Sequence, residues 1–235
     1  MFDDIHFDEK HSALRERMIT EVGKSVEVAE LIFAAAKNFP DLQAIDLGGG
    51  FKVPYRADEK GTDMSLVGAA ISERFNRFCT EYGRQLALVI EPGKFLVAEC
   101  GTLFVEVNVV KHNPSVSFAA VGSGLNHLVR PMMYGSYHEI VNVSNPLKNR
   151  KLYNVVGYIC ETDNFAEDRE LPEITAGDIL GIRNAGAYCF TMASHYNSRV
   201  LPAEVMLYGG KDYLIRHRET LDDILRNQII TDVRM

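Results

Sequence analysis

The sequence predicts an α/β segment, residues 1–100, followed by a mainly β domain, residues 101–235. Two observations carry that expectation. Up to about Gly101, helical periodicity alternates twice with short apolar runs and loops, the rhythm of a parallel α/β sheet or a (β/α) barrel. Beyond it, strand-like runs succeed one another across turn residues, with almost no helical pattern until "ETLDDILRN" near the end.

From Ser12 to Phe39, apolar residues at Leu14, Met18, Val22, Val26, Ala29, Ile32 or Phe33, and Ala36 describe one helix face, which Pro40 stops. "LQAIDL" reads as a strand and "GGGFKVPY" as a loop. A second helix is expected after Asp63, a suitable N-cap, with Val67, Ile71, Phe75, Phe78 and Tyr82 on one face and an end at Gly83. "LALVI", residues 86–90, is a continuous apolar run, which predicts a strand covered on both faces. The loop "EPGK" follows. In the second region the expected strands are "TLFVEVNVV", "SVSFAAVG", "KLYNVVGYI", "GDILGI" and "AEVMLY". Two βα units cannot close a barrel and two strands make a poor sheet, so the first region reads as part of a larger object.

A 46% hydrophobic and 24% charged composition is that of a globular chain with material for a core, and the net charge of −7 argues against nucleic acid as a partner. The acidic N-terminus lacks the pattern of a signal peptide, and no apolar run approaches the roughly 20 residues that span a bilayer. Cys79, Cys100, Cys160 and Cys189 stand far apart without CxxC spacing, and the seven histidines form no HxxxH pair. A reducing cytoplasm is therefore expected, and metal chemistry and membrane association are not.

Four stretches concentrate chemistry. Gly48–Gly50, directly after a strand, form either a phosphate-cradling loop or a plain turn. Glu91 in "EPGK" stands at the C-terminal end of a strand, where α/β sites collect; it can hold a cationic ring nitrogen, or cap the turn and pair with Lys94. In "GLNHLVRPMMYGSYHEI", Arg130 and Tyr134 suit an anion, although a surface loop explains them as well. In "NAGAYCFTMASHYNSR", Gly186 and Ala187 fit either close backbone approach to a ligand or a tight turn. Finally, "VVGYICETDNFAEDREL" reads as a strand that ends on Cys160 and Glu161 and runs into an acidic loop.

The motifs "DLGGGF", "EPGKFLVAECG", "GLNHLVRPMMYGSYHEI", "YICETDNFA" and "NAGAYCFTMASHYNSRVLPAEVML" occur in an order and spacing that resembles the alanine-racemase-like, fold-type III pyridoxal-phosphate decarboxylases. The resemblance covers nearly the whole chain from about Leu42. It implies the later part of a (β/α)8 TIM barrel followed by a C-terminal β domain, with pyridoxal 5'-phosphate as cofactor. On the same resemblance Gly48, Gly49 and Gly50 bind the cofactor phosphate, Glu91 holds the pyridinium nitrogen, and Gly93, Lys94 and Tyr188 contact the cofactor. Lys94, Arg130, Tyr134 and Glu161 match substrate-binding positions, and Cys160 matches the proton donor. A guanidinium for the far carboxylate and an acid for the far ammonium suit meso-2,6-diaminopimelate, with L-lysine and CO2 as products. A thiol, with a reference pKa near 8.5, is a suitable acid at neutral pH.

The Cys-Glu pair reaches the neighbouring subunit's site in such enzymes, which implies a homodimer with shared active sites. Ornithine, arginine or carboxynorspermidine decarboxylation and a non-catalytic dimerisation or regulatory role are the alternatives. The sequence departs from the pattern in places. Nothing resembles the "YAxKAN" segment that supplies the Schiff-base lysine or the "HxGS" segment that stacks on the cofactor, and Lys52 is not a positional match. Roughly 150 to 200 residues of an ordinary barrel-plus-domain would carry them, so decarboxylation by this chain alone is not expected. Lys94 stands where the family has Arg, Cys189 replaces a glycine, and "CETDN" replaces "CESGD".

Overall fold

The computed structural model describes residues 9–231, and side chains from Val22 onward. It divides into two compact units, one ending at Leu96 and the other beginning at Val97.

In the first unit, α1 (Glu9–Ala36) precedes β1 (Ala44–Asp46), α2 (Met64–Tyr82) and β2 (Ala87–Val89), and α3 (Gly93–Val97) runs up to the division. Among the residues of α1 whose side chains are described, Ala29, Phe33 and Ala36 are buried, spaced at three and four residues as one helical stripe requires. The expected face positions Leu14 and Met18 lie outside the residues whose side chains are described. α2 buries Val67, Ile71, Phe75, Phe78 and Cys79. Its start is fixed by Asp63, whose carboxylate accepts from the N–H groups of Ser65 and Leu66, and its end by Gly83 at φ 78°. Such an N-cap contributes about 1 kcal/mol. The two helices lock together through Phe33, stacked on Phe78 with ring centroids 5.1 Å apart.

β1 and β2 pair in parallel, with Ala44, Ile45 and Asp46 opposite Ala87, Leu88 and Val89. The expectation of a strand covered on both faces at residues 86–90 is corrected here: Val89 and Ile90 are 40% and 39% exposed. Among the described residues this sheet has only two strands. Among the described residues only part of the run is covered: Leu86 is buried and Leu88 packs against the helices, while Val89 and Ile90 do not share that cover.

The second unit is built on a six-stranded sheet in the order β5-β8-β3-β4-β6-β7. The strands are β3 (Leu103–His112), β4 (Ser117–Val121), β5 (Ile140–Asn142), β6 (Arg150–Val156), β7 (Asn164–Pro172) and β8 (Ile179–Ile182), with the short helix α4 (Arg130–Tyr134) between β4 and β5. All pairings are antiparallel except β4 with β6. The core gathers the inward residues of the strands, among them Val105, Val107, Val121, Val155 and Leu180. Tyr153, fully buried, satisfies its hydroxyl by accepting from the Ile174 N–H at 3.1 Å. A separate hairpin, β9 (Glu204–Tyr208) and β10 (Lys211–Arg216), turns through Gly209 and Gly210, both at positive φ, and α5 (Leu221–Leu225) follows.

The segment after Cys160 is also corrected. Residues 164–172 do not form an acidic loop; they form β7, paired antiparallel with β6. β7 is an edge strand, so Glu167, Asp168 and Glu170 face solvent while Phe165, Ala166 and Leu171 face the core. Charge on an edge strand blunts pairing with other chains, which is why so acidic a run can still be a strand.

Candidate active site

In the first unit the parallel pairing of β1 with β2 places Gly48–Gly50 and Glu91 side by side at the C-terminal ends of the strands. The pairing extends beyond the strands: Leu47 N–H donates to Val89 O at 3.0 Å and Glu91 N–H to Gly48 O at 2.8 Å. Gly49 lies so close to the next loop that a Cβ built on it would stand 2.5 Å from the Glu91 carbonyl oxygen. Gly48 and Gly50 have φ of 71° and 87°, a conformation that side chains disfavour. Asp46 accepts from the Gly48 N–H at 2.8 Å and starts the turn. The result is a backbone cradle with a carboxylate on the adjacent strand end, which fits an anionic group joined to a cationic ring. Gly93 opens α3, and Lys94 lies with its Nζ 5.9 Å from the Tyr55 ring centroid.

In the second unit the candidate residues form two groups. The first centres on Arg130 at the start of α4. Its guanidinium lies 5.9 Å from the Tyr134 ring centroid and 5.7 Å from that of Tyr188, and donates to Ser136 Oγ at 3.3 Å. Tyr188 holds φ 57°, an unusual backbone for an aromatic residue and one that marks functional or strained positions. Nearby His138 is buried and bonded through Nδ1 to Arg183 O at 2.8 Å. Burial, reinforced by the charges of Arg130 and Arg169, keeps its pKa below the ordinary value.

The second group holds Cys160 and Glu161. Strand β6 ends at Val156, so this pair sits in the loop 157–163 rather than on a strand end as the sequence led one to expect. Gly157 stops the strand because its N–H turns back to the Asp163 carbonyl. Both residues are exposed. The Cys160 thiol donates to one Glu161 carboxylate oxygen at 3.3 Å, and the Tyr196 hydroxyl donates to the other. The Asn197 amide reaches the Cys160 sulfur at 3.7 Å. Tyr196 first and Cys160 second hold the Glu161 carboxyl below its usual range, while the same contact raises the Tyr196 phenol. Asn197 and Ser198 both have positive φ, at 54° and 55°.

Tyr196 and Asn197 were not singled out from sequence. They stand 35 and 37 residues beyond their partners, and only the density of aromatic and polar residues in "SHYNSR" hinted at them. Gly186 has a different explanation from ligand approach: a Cβ there would stand 1.8 Å from the Val97 carbonyl oxygen, so the close neighbour is the chain's own backbone. His127 fixes this part of the fold. Its Nε2 lies 3.0 Å from the Val200 carbonyl and its Nδ1 2.9 Å from Ser123 Oγ. A carbonyl can only accept, so Nε2 carries the proton and Nδ1 accepts from the serine. Burial holds this imidazole's pKa below the ordinary value.

With this geometry established, residues 18–186 match the family model described as pyridoxal-dependent decarboxylase, C-terminal sheet domain. The chain is 43% identical over 191 residues to diaminopimelate decarboxylase of Methanothermobacter thermautotrophicus, covering 80% of this chain and 44% of that protein. A crystal structure of diaminopimelate decarboxylase superposes with a TM-score of 0.83 at 36% identity, over 88% of this chain and 52% of the other. The enzyme from M. jannaschii, solved in co-complex with L-lysine, gives a TM-score of 0.79 at 30% identity, over 91% and 49%. The chain thus spans about half the length of the relatives it matches.

Proposed function

The chain belongs to the pyridoxal-dependent decarboxylases, and from that premise we propose that it supplies the later barrel segment and the sheet domain of a diaminopimelate decarboxylase, which converts meso-2,6-diaminopimelate to L-lysine and CO2. The observation that carries the reading is the glycine loop held against Glu91 across two parallel strand ends. It fits pyridoxal 5'-phosphate in two respects: a backbone cradle for the phosphate, and a carboxylate for the ring nitrogen.

When bound, the cofactor supplies the electron sink for the pair released as CO2 leaves. The chain's own residues do the rest. Gly49 and Gly50 would hold the phosphate with backbone N–H groups, Gly48 would shape the turn with its own N–H held by Asp46, and Glu91 would keep the ring nitrogen protonated. Gly93, Lys94 and Tyr188 would line the cofactor. Arg130, steadied between the rings of Tyr134 and Tyr188, is set to pair with the far carboxylate of the substrate. Lys94 offers a further cation, without the fork geometry of an arginine. Glu161 would take the far ammonium, exchanging its contact with Tyr196 or Cys160 for it. Cys160 would carry the proton at Sγ and deliver it to Cα after CO2 has left, leaving a thiolate to be reprotonated from solvent. In this reading the Cys160–Glu161 loop serves the site of a second subunit, so the active species is a homodimer.

The test is CO2 release from carboxyl-labelled meso-diaminopimelate by the protein purified from its own cells, with pyridoxal phosphate supplied. Release from that substrate, reduced at least a hundredfold in Cys160→Ala and in Glu91→Ala, is expected. Release from ornithine or arginine instead, or none at all, would overturn the reading.

A further inference from the structure

Asp163 has no role in the proposed chemistry, yet it is among the most tightly engaged side chains near Cys160. It is only 7% exposed. One carboxylate oxygen accepts from the Ile159 N–H at 2.9 Å, within the loop 157–163; the other accepts from the Leu125 N–H at 2.7 Å, in the turn that runs into Arg130. Its backbone carbonyl accepts from the Gly157 N–H at 2.8 Å, closing the loop at its base. The carboxylate also occupies space that two glycines leave open: a Cβ on Gly157 would stand 2.1 Å from Oδ2 and one on Gly124 2.5 Å from it.

The same turn reaches the segment whose Tyr196 donates to Glu161. His127, two residues after Leu125, is bonded to Val200 O, and Ser194 N–H donates to Asn126 O at 2.8 Å. These bonds anchor the segment that carries Tyr196 and Asn197. One buried carboxylate therefore joins the loop bearing Cys160 and Glu161 to the turn that leads to Arg130 and is pinned to the Tyr196 segment. Burial raises its pKa, and only the two N–H donors oppose that. A charge held at such a cost needs both donors to be worthwhile.

We propose that Asp163 is the positioning residue of the Cys160–Glu161 loop: it sets where the thiol and the carboxylate stand relative to the turn before Arg130 of the same chain. Its consequence for turnover rests on the function proposed above, whereas the geometry does not. An asparagine in its place keeps the size but has a single acceptor oxygen, so one of the two N–H groups loses its partner. A glutamate does not restore the arrangement, because the space left by Gly124 and Gly157 has no room for a further methylene.

The experiment uses the full chain. In Asp163→Asn, amide exchange at Ile159 or Leu125 is expected to rise at least tenfold, with Val155 and Ala166 in β6 and β7 unchanged. Alkylation of Cys160 at fixed pH is expected to rise at least threefold, because the thiol is released from Glu161, while that of Cys100 stays the same; Asp163→Glu is expected not to rescue either. Exchange and alkylation within twofold of wild type, or equal acceleration of the strand amides, would overturn the inference. Should the variants not fold, the wild-type chain decides. The Leu125, Ile159 and Cys160 amide resonances should share one acidic titration midpoint above 3.8, and a Cys160 amide that ignores it overturns the proposal. None of these readouts requires turnover. Wild-type protein that releases no CO2 sinks the proposed function and leaves this result standing; active wild type with an unchanged loop in Asp163→Asn sinks only this inference.

Discussion

The phenol of Tyr196 donates to a carboxylate oxygen of Glu161, and that carboxylate accepts the Cys160 thiol on its other oxygen. A thiol, an acid and a phenol thus form one chain of hydrogen bonds between two exposed segments. Removing the hydroxyl in Tyr196→Phe takes away the largest influence that lowers the Glu161 pKa. The Glu161 carboxyl should then titrate closer to 4.5, as followed by side-chain NMR. The reciprocal variant Glu161→Gln should bring the Tyr196 phenol down toward 10. An unmoved Glu161 titration in Tyr196→Phe would show that the contact does not persist in solution.

Gly49→Ala tests the cradle. The added methyl meets the Glu91 carbonyl oxygen at 2.5 Å, a backbone atom that moves only if the two loops part. A destabilisation of about 1–3 kcal/mol is expected, the usual cost of overpacking, read by chemical denaturation. The Glu91 amide should also lose protection, because its bond to Gly48 O depends on the same approach. Wild-type stability in this variant would mean that the loops separate freely.

Gly186→Ala is the harsher test. Its Cβ would stand 1.8 Å from Val97 O, and Gly101, the other side of this approach, would place a Cβ 2.4 Å from Gly186 Cα. A loss at or above the upper end of about 1–3 kcal/mol is expected, with the bonds from Ala185 N–H to Gly101 O and from Gly186 N–H to Ala98 O broken. A midpoint within experimental error of wild type contradicts the packing.

Local physics was legible in the sequence and distant pairing was not. The stripe on α1, the Asp63 cap and Gly83 stop of α2, and the alternating strands β3 and β4 follow from spacing within one element. β10 is missing from the expected strands, although "YGGK" carries the signal of a tight hairpin, two glycines, both at positive φ, between apolar runs. β7 was hidden by its charge, since nothing in "NFAEDREL" states that it lies on a sheet edge. Asp163 looked like one more acid in "CETDN", because its two N–H donors are 4 and 38 residues away. The candidate residues were named through the order of the motifs; the contacts that hold them in place required the fold.

The cysteines should separate by reactivity. Cys100 and Cys160 are exposed, whereas Cys79 and Cys189 are buried. Burial pushes the Cys189 thiol up to about 12, and its sulfur lies 3.3 Å from the His127 carbonyl. Since the thiolate is the reactive form, iodoacetamide at pH 8 should add two labels to the native protein, on Cys100 and Cys160, and four after unfolding. A third native label on Cys189 would show that the sheet domain opens around His127.

Acid should weaken the sheet domain earlier than its carboxylates alone would dictate. His127 and His138 are both held below the ordinary 6.5, first by burial and then by neighbouring arginines, Arg218 and Arg199 at His127 and Arg130 and Arg169 at His138. Val200 O and Glu219 favour the charged form of His127 but do not outweigh burial. Below pH 6.5 the unfolded chain therefore takes up protons that the folded chain refuses. Stability present above pH 6.5 is lost as the pH falls toward the folded-state values, at up to about 1.4 kcal/mol per pH unit for each imidazole. Asp163 acts with the opposite sign: its folded pKa lies above 3.8, so it gains a proton more readily when folded, in a window extending upward from 3.8. Denaturant midpoints measured from pH 7.5 to 5 should fall in the wild type and flatten in His127→Gln and His138→Gln, once each is compared with its own value at pH 7.5. A wild-type midpoint that stays level across that range would mean that both imidazoles ionise freely in the folded protein.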